Sequence, residues 1–475
     1  MRVLFVAAES FPLVKVGGLA DVASSLPKAL ALHGHDVRVA LPFYARLALP
    51  QRPQHAIDLP VELGGRTVVA AVYQTLHPNG VPAYLVANDA YFGREHVYGY
   101  PDDDERFIFF CGAVRALLRV SEWQPDIVHC NDWHTAYLVY VLRQDALFQD
   151  VATVFTIHNL AYQGPYTERT RRLMGLPETS RDNLMALGIR YADALNTVSP
   201  TYLTEVLTPA FGHNMDGLLR QRLADFRGIL NGVDYEEFDP RHDPHIPVLY
   251  GPHCVSRKLK NKSALQYWSR LPLSQTVPLL GVVARLTGQK GIDTIIEALD
   301  DLLDLGVQVV VMGRGEPRYE EVLLSLAQAR RGAMAYHQRE DETLARLVYA
   351  GADMLLAPSN FEPCGLGPLI AARYGTVPIV RATGGLADTI LDCMEDRERG
   401  LGIVIGGPTP ADLVTAVTRA LLLYHRRSEW RTLVQRLMAA DFSWERPSLQ
   451  YQELYAHALR KCREANRGQP APRIP

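Results

Sequence analysis

Neither sign of charge dominates this sequence. Its 49 lysines and arginines stand against 52 aspartates and glutamates, a formal net charge of −3 over 475 residues. That balance lacks the basic footprint by which proteins hold nucleic acid or an anionic membrane surface. Long apolar runs are missing as well. Apolar-rich runs such as 307–312 have the length of a strand, far short of the roughly 20 residues that span a bilayer. The opening Met1-Arg2-Val3-Leu4-Phe5-Val6-Ala7-Ala8-Glu9 has neither the apolar core nor the small-residue cleavage site of a secretion signal. It reads as a first strand, and a cytoplasmic protein is expected. Cysteine is sparse: Cys111, Cys130, Cys254, Cys364, Cys393 and Cys462 include no Cys-x-x-Cys pair. That argues for reduced thiols and against a disulfide frame or a structural zinc site.

What is present is an ordinary globular composition, 48% apolar and 21% charged, on a chain long enough for two or three domains. Short β-branched runs alternate with longer amphipathic stretches. Strands are expected at 3–7, 37–41, 68–72, 83–86, 126–129, 153–157, 194–198 and 228–230, with helices at 20–32, 104–120 and 136–147. Near-continuous apolar strands separated by helices predict a parallel sheet covered on both faces. The stretch 231–252 carries four prolines, aspartates and histidines and no periodicity, so it is expected to be a hinge. Beyond it the alternation restarts, with strands at 279–284, 307–312, 354–357 and 378–380 and helices at 293–305 and 319–329. The fold class is therefore α/β: two doubly wound domains facing a cleft. The tail 467–475, rich in proline and polar residues, is expected to be disordered.

One pentapeptide occurs twice. Gly17-Gly18-Leu19-Ala20-Asp21 returns as Gly384-Gly385-Leu386-Ala387-Asp388, each copy following a strand and opening a helix. Paired glycines in such a turn let backbone N–H groups converge beside a helix N-terminus, a setting for an anion. The plainer alternative is a pair of tight turns. The spacing matches neither a dinucleotide fingerprint nor a P-loop, and Gly313-Arg314-Gly315 fails as a fingerprint because Arg318 stands where the third glycine belongs.

Ligands of parallel sheets collect at the carboxyl ends of the strands, which limits the candidates. Glu9 and Lys15 follow the first strand. Asn131-Asp132-Trp133-His134, His158-Asn159 and Asn231 follow later ones. In the second half come Arg285-Leu286-Thr287-Gly288-Gln289-Lys290-Gly291, then Ser359-Asn360-Phe361-Glu362-Pro363-Cys364-Gly365-Leu366, then Arg381 and Thr383. Three cations, Lys15, Arg285 and Lys290, with two glycine pairs suit a diphosphate, and the Asp, Asn, His and Glu side chains suit a sugar. A nucleotide sugar satisfies both. Taken singly, the lysines could be solvated, His158 a core histidine, Asp132 a helix cap, Glu362 a turn residue and Cys364 a packed thiol.

The segment Lys15-Val16-Gly17-Gly18-Leu19 resembles the Lys-x-Gly-Gly-Leu signature of bacterial glycogen synthases and plant starch synthases. So do Asn131-Asp132-Trp133-His134, Ile157-His158-Asn159-Leu160-Ala161-Tyr162-Gln163-Gly164, Asn231-Gly232-Val233-Asp234, the 285–291 segment, Phe361-Glu362-Pro363-Cys364-Gly365-Leu366 and Thr383-Gly384-Gly385-Leu386. Smaller matches are Tyr98-Gly99-Tyr100-Pro101 and Asp441-Phe442-Ser443-Trp444. The resemblance runs over nearly the whole chain. It implies the type B glycosyltransferase fold, with residues 1–240 on the glucan acceptor side and 241–440 on the donor side. Residues 441–475 would form a helix crossing back to the first domain plus the tail. It also implies retaining transfer of glucose from ADP-glucose to the non-reducing 4-hydroxyl of an α-1,4-glucan, without metal or cofactor. By matching position the catalytic residues would be Glu362, His158, Arg285 and Lys290. The donor would also meet Lys15, Gly17, Gly18, Cys364, Gly365, Leu366, Thr383, Gly384 and Gly385. Glu9, Asp21, Asp132 and Asn231 would bind sugar.

Two departures from the family pattern stand out. Gly367-Pro368 replaces the Thr-Gln that often follows Cys-Gly-Leu, and the segment 166–189 is shorter than in relatives. Loops that hold phosphate do not specify a base, so UDP-glucose as donor, or glucose 1-phosphate as acceptor giving maltose 1-phosphate, stays open. A catalytically dead glucan-binding paralogue also stays open.

Overall fold

The computed structural model describes residues 1–49 and 51–467. The tail expected to be disordered thus lies outside the described residues beyond Arg467. The chain divides into two compact units, the first from Met1–Gly232 together with the chain from Trp444 onward, the second Val233–Ser443.

Unit 1 holds a nine-stranded sheet. Its strands are β1 (Arg2–Val6), β2 (Asp36–Pro42), β3 (Gln54–Leu63), β4 (Arg66–Leu76), β5 (Pro82–Ala87), β6 (Ile127–Asn131), β7 (Ala152–Ile157), β8 (Ala194–Thr197) and β9 (Phe226–Gly228). Their order is β3-β4-β5-β2-β1-β6-β7-β8-β9. The strands from β5 through β9 pair in parallel, whereas β3–β4 and β4–β5 are antiparallel. The expected all-parallel sheet is corrected at this edge. There β3 shows only one face to the core, with Leu59, Val61 and Leu63 buried and their neighbours exposed, the alternation of an antiparallel strand. Central β6 and β7 are buried at every position, as strands covered on both faces must be. The expected strand at 228–230 lies two residues earlier, at β9. The helix Glu445–Arg467 belongs to this unit: Tyr451, Leu454, Tyr455, Ala458 and Cys462 share a core with Val3, Phe5, Leu26, Val154 and Ala194. Buried polar pairs fix it there. Tyr455 Oη lies 2.8 Å from His129 Nδ1, and Tyr451 Oη accepts from Asn196 Nδ2 at 2.9 Å.

Unit 2 holds β10 (Leu279–Val283), β11 (Gln308–Met312), β12 (Met334–His337), β13 (Met354–Ala357), β14 (Val377–Arg381) and β15 (Ile403–Ile405). The order β12-β11-β10-β13-β14-β15 is the doubly wound order 3-2-1-4-5-6, parallel throughout. Helix Ile292–Asp304 buries Ile292, Ile295, Ala298, Leu299 and Leu302, the stripe that spacings of three and four place on one face. The segment expected to be a hinge belongs to this unit from Val233 onward and is anchored in it. Phe238, Ile246 and Tyr250 are core residues. Asp239 pairs with Arg373 at 2.5 Å, and fully buried Arg346 pairs with Glu237 at 2.6 Å and Asp243 at 3.5 Å. The prolines and aspartates that look like a linker here make a packed, ion-paired strap.

Candidate functional site

In unit 1 the strand order reverses between β1 and β6; the candidates that follow β1, β6 and β7 sit at that switch point and beside it, whereas Asn231 follows the edge strand β9. The loop after β1 leads through Lys15 to Gly17, which precedes the helix Gly18–Leu32. Glu9 is buried beneath this loop, and its Oε2 accepts from Val16 N at 2.5 Å and Gly17 N at 3.0 Å. Tyr98 Oη donates to its Oε1 at 3.3 Å. The converging N–H groups expected at the first glycine pair are thus partly committed to a carboxylate of the chain itself. Burial raises the Glu9 carboxyl to about 7, against the two backbone donors that lower it. Lys15 Nζ pairs with Asp21 Oδ1 at 2.8 Å, so the two residues expected to meet phosphate and sugar meet each other.

Asp132, after β6, has φ 55° and ψ 178°, a conformation that costs a non-glycine residue energy and that the surroundings must enforce. It precedes the helix Trp133–Arg143 without a side-chain cap bond, so the helix-cap alternative is excluded. Its Oδ1 instead accepts from the backbone N–H of His158 at 2.8 Å, and burial raises its carboxyl to about 7, with Glu9 adding to the shift. His158 Nε2 lies 2.9 Å from Asn131 Oδ1, while Asn131 Nδ2 donates to Val6 O and His129 O. Because that amide nitrogen faces carbonyls, Asn131 Oδ1 is the acceptor, so His158 carries its proton on Nε2 and presents a lone pair at Nδ1. Burial lowers its pKa to about 3, so the imidazole is neutral. His134 is ring-packed against Tyr98, Trp133 and Phe107. Asn231 is buried with Oδ1 unpartnered among the described residues.

In unit 2 the switch point lies between β10 and β13. Lys290, on the loop after β10, and Glu362, on the loop after β13, meet with Nζ 2.5 Å from Oε2. Ser359 Oγ donates to the same oxygen at 3.1 Å, and Oε1 makes no hydrogen bond among the described residues. Half-buried Arg285 stands at the start of the β10 loop. Buried Cys364 leads into Gly365, which precedes helix Leu366–Arg373. Thr383, without a side-chain cap bond, precedes the short helix Gly384–Thr389. The second glycine pair allows a close approach: a Cβ on Gly384, at φ 46°, would lie 1.9 Å from Glu362 O, and one on Gly385 2.2 Å from Cys364 O. Gly385 N donates to Glu362 O at 3.1 Å. This pair therefore presses against the backbone that carries Glu362, a role its spacing alone does not reveal. Asn131, Tyr98 and Ser359 carry or orient the candidates, and each lies inside or next to a quoted motif; Asn131 and Tyr98 reach partners far away in sequence, whereas Ser359 meets Glu362 three residues on.

Among the described residues no three His, Cys, Asp or Glu side chains group as a metal site, no helix is long and apolar enough to cross a membrane, and all six cysteines are free.

The family described as starch synthase catalytic domain matches residues 2–221, and that described as glycosyl transferases group 1 matches 269–434. Two Rossmann-type units with those matches define a glycosyltransferase of the type B fold. The catalytic domain of starch synthase IV from Arabidopsis thaliana, solved bound to ADP and acarbose, is similar with a TM-score of 0.92 and 31% identity, over 97% of this chain and 99% of that one. Glycogen synthase of Moorella thermoacetica is 44% identical over 98% of both chains, and that of Desulforudis audaxviator 42% over 98% of both. The chain belongs to the glycogen synthase family.

Proposed function

We propose that the protein is an ADP-glucose-dependent, retaining α-1,4-glucosyltransferase of the cytoplasm that adds glucose to the non-reducing 4-hydroxyl of a glucan. The Lys290–Glu362 pair at the switch point of unit 2 carries the reading. Charge grows on the departing diphosphate as the bond to the anomeric carbon breaks. A fixed ammonium stabilises that charge more in the transition state than in the ground state. Lys290 and Arg285 take this role. Glu362, with Oε2 held by Lys290 and Ser359, offers Oε1 to a donor hydroxyl and offsets positive charge at the anomeric carbon. The backbone of Cys364, Gly365 and Leu366, at a helix start, suits the phosphates, with Thr383 and Gly384 beside it. Gly385 serves by close packing.

Unit 1 is the acceptor side in this reading, with Lys15, Gly17 and Gly18 contributing to the donor phosphates. His158, neutral and held by Asn131, accepts a hydroxyl of the transferred glucose at Nδ1. Asp132, Asn231, Glu9 and Asp21 position sugars. ADP-glucose supports the donor assignment because the Arabidopsis relative was solved with ADP. The test is incubation with ADP-glucose or UDP-glucose and glycogen, and with ADP-glucose and glucose 1-phosphate, the anomeric configuration of the product being read by NMR. Faster turnover of UDP-glucose, preferred formation of maltose 1-phosphate, or a β-linked product overturns the corresponding part of the assignment.

A further inference from the structure

The Lys290–Glu362 pair joins two loops whose residues are 72 apart in sequence, so something must hold the loops in register. The turn Gly288–Lys290 is a single 3-10 turn, too short to hold itself. Asn360 grips it from one side: its backbone N–H donates to Gln289 O at 2.8 Å and its Nδ2 donates to Gly288 O at 2.8 Å. Asn360 is oriented in turn by Arg381 at the end of β14, whose guanidinium donates to Oδ1 at 2.8 Å. Glu316 grips the turn from the other side, its Oε1 accepting from Gly288 N at 3.3 Å.

The Gly313-Arg314-Gly315 segment, which fails as a dinucleotide fingerprint, brings Glu316 there. Leu286 N donates to Arg314 O at 2.8 Å and Glu316 N donates to Leu286 O at 2.8 Å. A Cβ on Gly313 would lie 1.9 Å from Ala284 O and one on Gly315 2.2 Å from Leu286 O. The exit loops of β11 and β10 thus run side by side, closer than any side chain permits.

We infer that Asn360 and Glu316 are positioning residues, a two-sided clamp on Gly288 that sets the Lys290 ammonium against Glu362 and the leaving phosphate. Each side chain makes one hydrogen bond to Gly288, that of Asn360 being the shorter at 2.8 Å against 3.3 Å; the further bond from the Asn360 backbone N–H to Gln289 O persists in side-chain variants. The clamp rests on the donor-site reading above and extends it. Displacing a catalytic ammonium by a fraction of an ångström weakens transition-state stabilisation more than ground-state binding. Loss of the clamp therefore lowers kcat more than it raises KM.

Asn360→Ala, Asn360→Asp, Glu316→Gln and Lys290→Ala are compared with the unaltered protein for kcat and KM toward ADP-glucose, with melting temperature as control. Asn360→Asp keeps the acceptor for Arg381 but sets an oxygen against Gly288 O. The clamp predicts that Asn360→Asp falls with Asn360→Ala, by roughly ten- to a hundredfold in kcat, with KM within a few-fold and the melting temperature little changed. Glu316→Gln, which keeps an amide oxygen for Gly288 N, retains most activity. In the double variant Asn360→Ala with Lys290→Ala, the Asn360 change adds little, because the group it positions is gone. Near-normal kcat in both Asn360 variants beside a crippled Lys290→Ala overturns the clamp and leaves the donor reading standing. Full additivity in the double variant also overturns the clamp. Near-normal Lys290→Ala overturns both.

Discussion

Asp132 Oδ1 accepts the backbone N–H of His158 at 2.8 Å, so the carboxylate expected to position sugar also fixes where the histidine leaves β7. With Asn131 holding Nε2 of the same ring, His158 is tied at both ends to the exit of β6. A neutral imidazole with a fixed tautomer is a hydrogen-bond acceptor in a known direction, suited to a sugar hydroxyl rather than to a phosphate.

The Glu362 carboxylate is nine-tenths buried and paired with Lys290. Glu362→Gln keeps the volume and removes the charge. In the proposed reaction kcat falls by roughly a hundredfold or more, while ADP affinity by calorimetry stays within a few-fold. Turnover close to the unaltered protein would remove Glu362 from the chemistry.

Lys290→Ala removes the ammonium that, in the proposed reaction, faces the departing diphosphate. We expect kcat to drop by about two to three orders of magnitude and KM to rise far less. A rise in KM alone, with kcat preserved, assigns Lys290 to uniform binding instead.

Gly384→Ala places a methyl group against Glu362 O at a φ that L-residues avoid. Stability should fall by more than about 1 kcal/mol, and the displaced Glu362 should lower kcat further in the protein that remains folded. Both are read from thermal melting and active-site titration. An unaltered melting temperature contradicts the close approach.

Burial raises Glu9 to about 7, above the value of about 4.3 it takes in an unfolded chain. Between those two values the folded state binds more protons than the unfolded state, so this group's contribution to stability declines as pH rises through that window and is fully lost above about 7. Glu9→Gln removes the linkage. Its melting temperature should therefore decline less than that of the unaltered protein between about pH 5 and about pH 8; an equal decline places the titration elsewhere.

His158 is lowered to about 3 from about 6.5 in an unfolded chain. Its contribution is present above about 6.5 and is lost as pH falls toward 3. Its ring resonances should not titrate between about pH 5 and about pH 8, and a midpoint near 6.5 refutes the burial.

The doubly wound class was legible because β7, β10 and β11 are runs of apolar residues that only a sheet covered on both faces accommodates. Strand β3 was not, because Gln54, His55, Asp58 and Glu62 dilute a period visible only in Leu59, Val61 and Leu63, and Pro60 argues against a strand except at an edge. The short β12 and β15 carry too few residues to show a period. The strap after Gly232 looks like a hinge in sequence because Asp239 and Asp243 find Arg373 and Arg346 more than a hundred residues later, which no local pattern announces. For the same reason the motifs name Lys290 and Glu362 separately while only the fold brings their charged atoms together. The commitment of the Val16 and Gly17 N–H groups to Glu9 likewise depends on how the loop turns back on that carboxylate, which spacing does not show.

The helix Glu445–Arg467 completes the core of unit 1 although all of unit 2 intervenes in the chain. On the ribosome the order of completion is therefore inverted. The unit that emerges first lacks the helix that packs on Val154 and Ala194 until some two hundred later residues have been made. Unit 2, continuous in sequence, can finish folding while its predecessor waits with that face open. A stalled or truncated chain would consequently display its defect in the half that was synthesised earliest, and a chaperone guarding nascent apolar surface would be needed there longest.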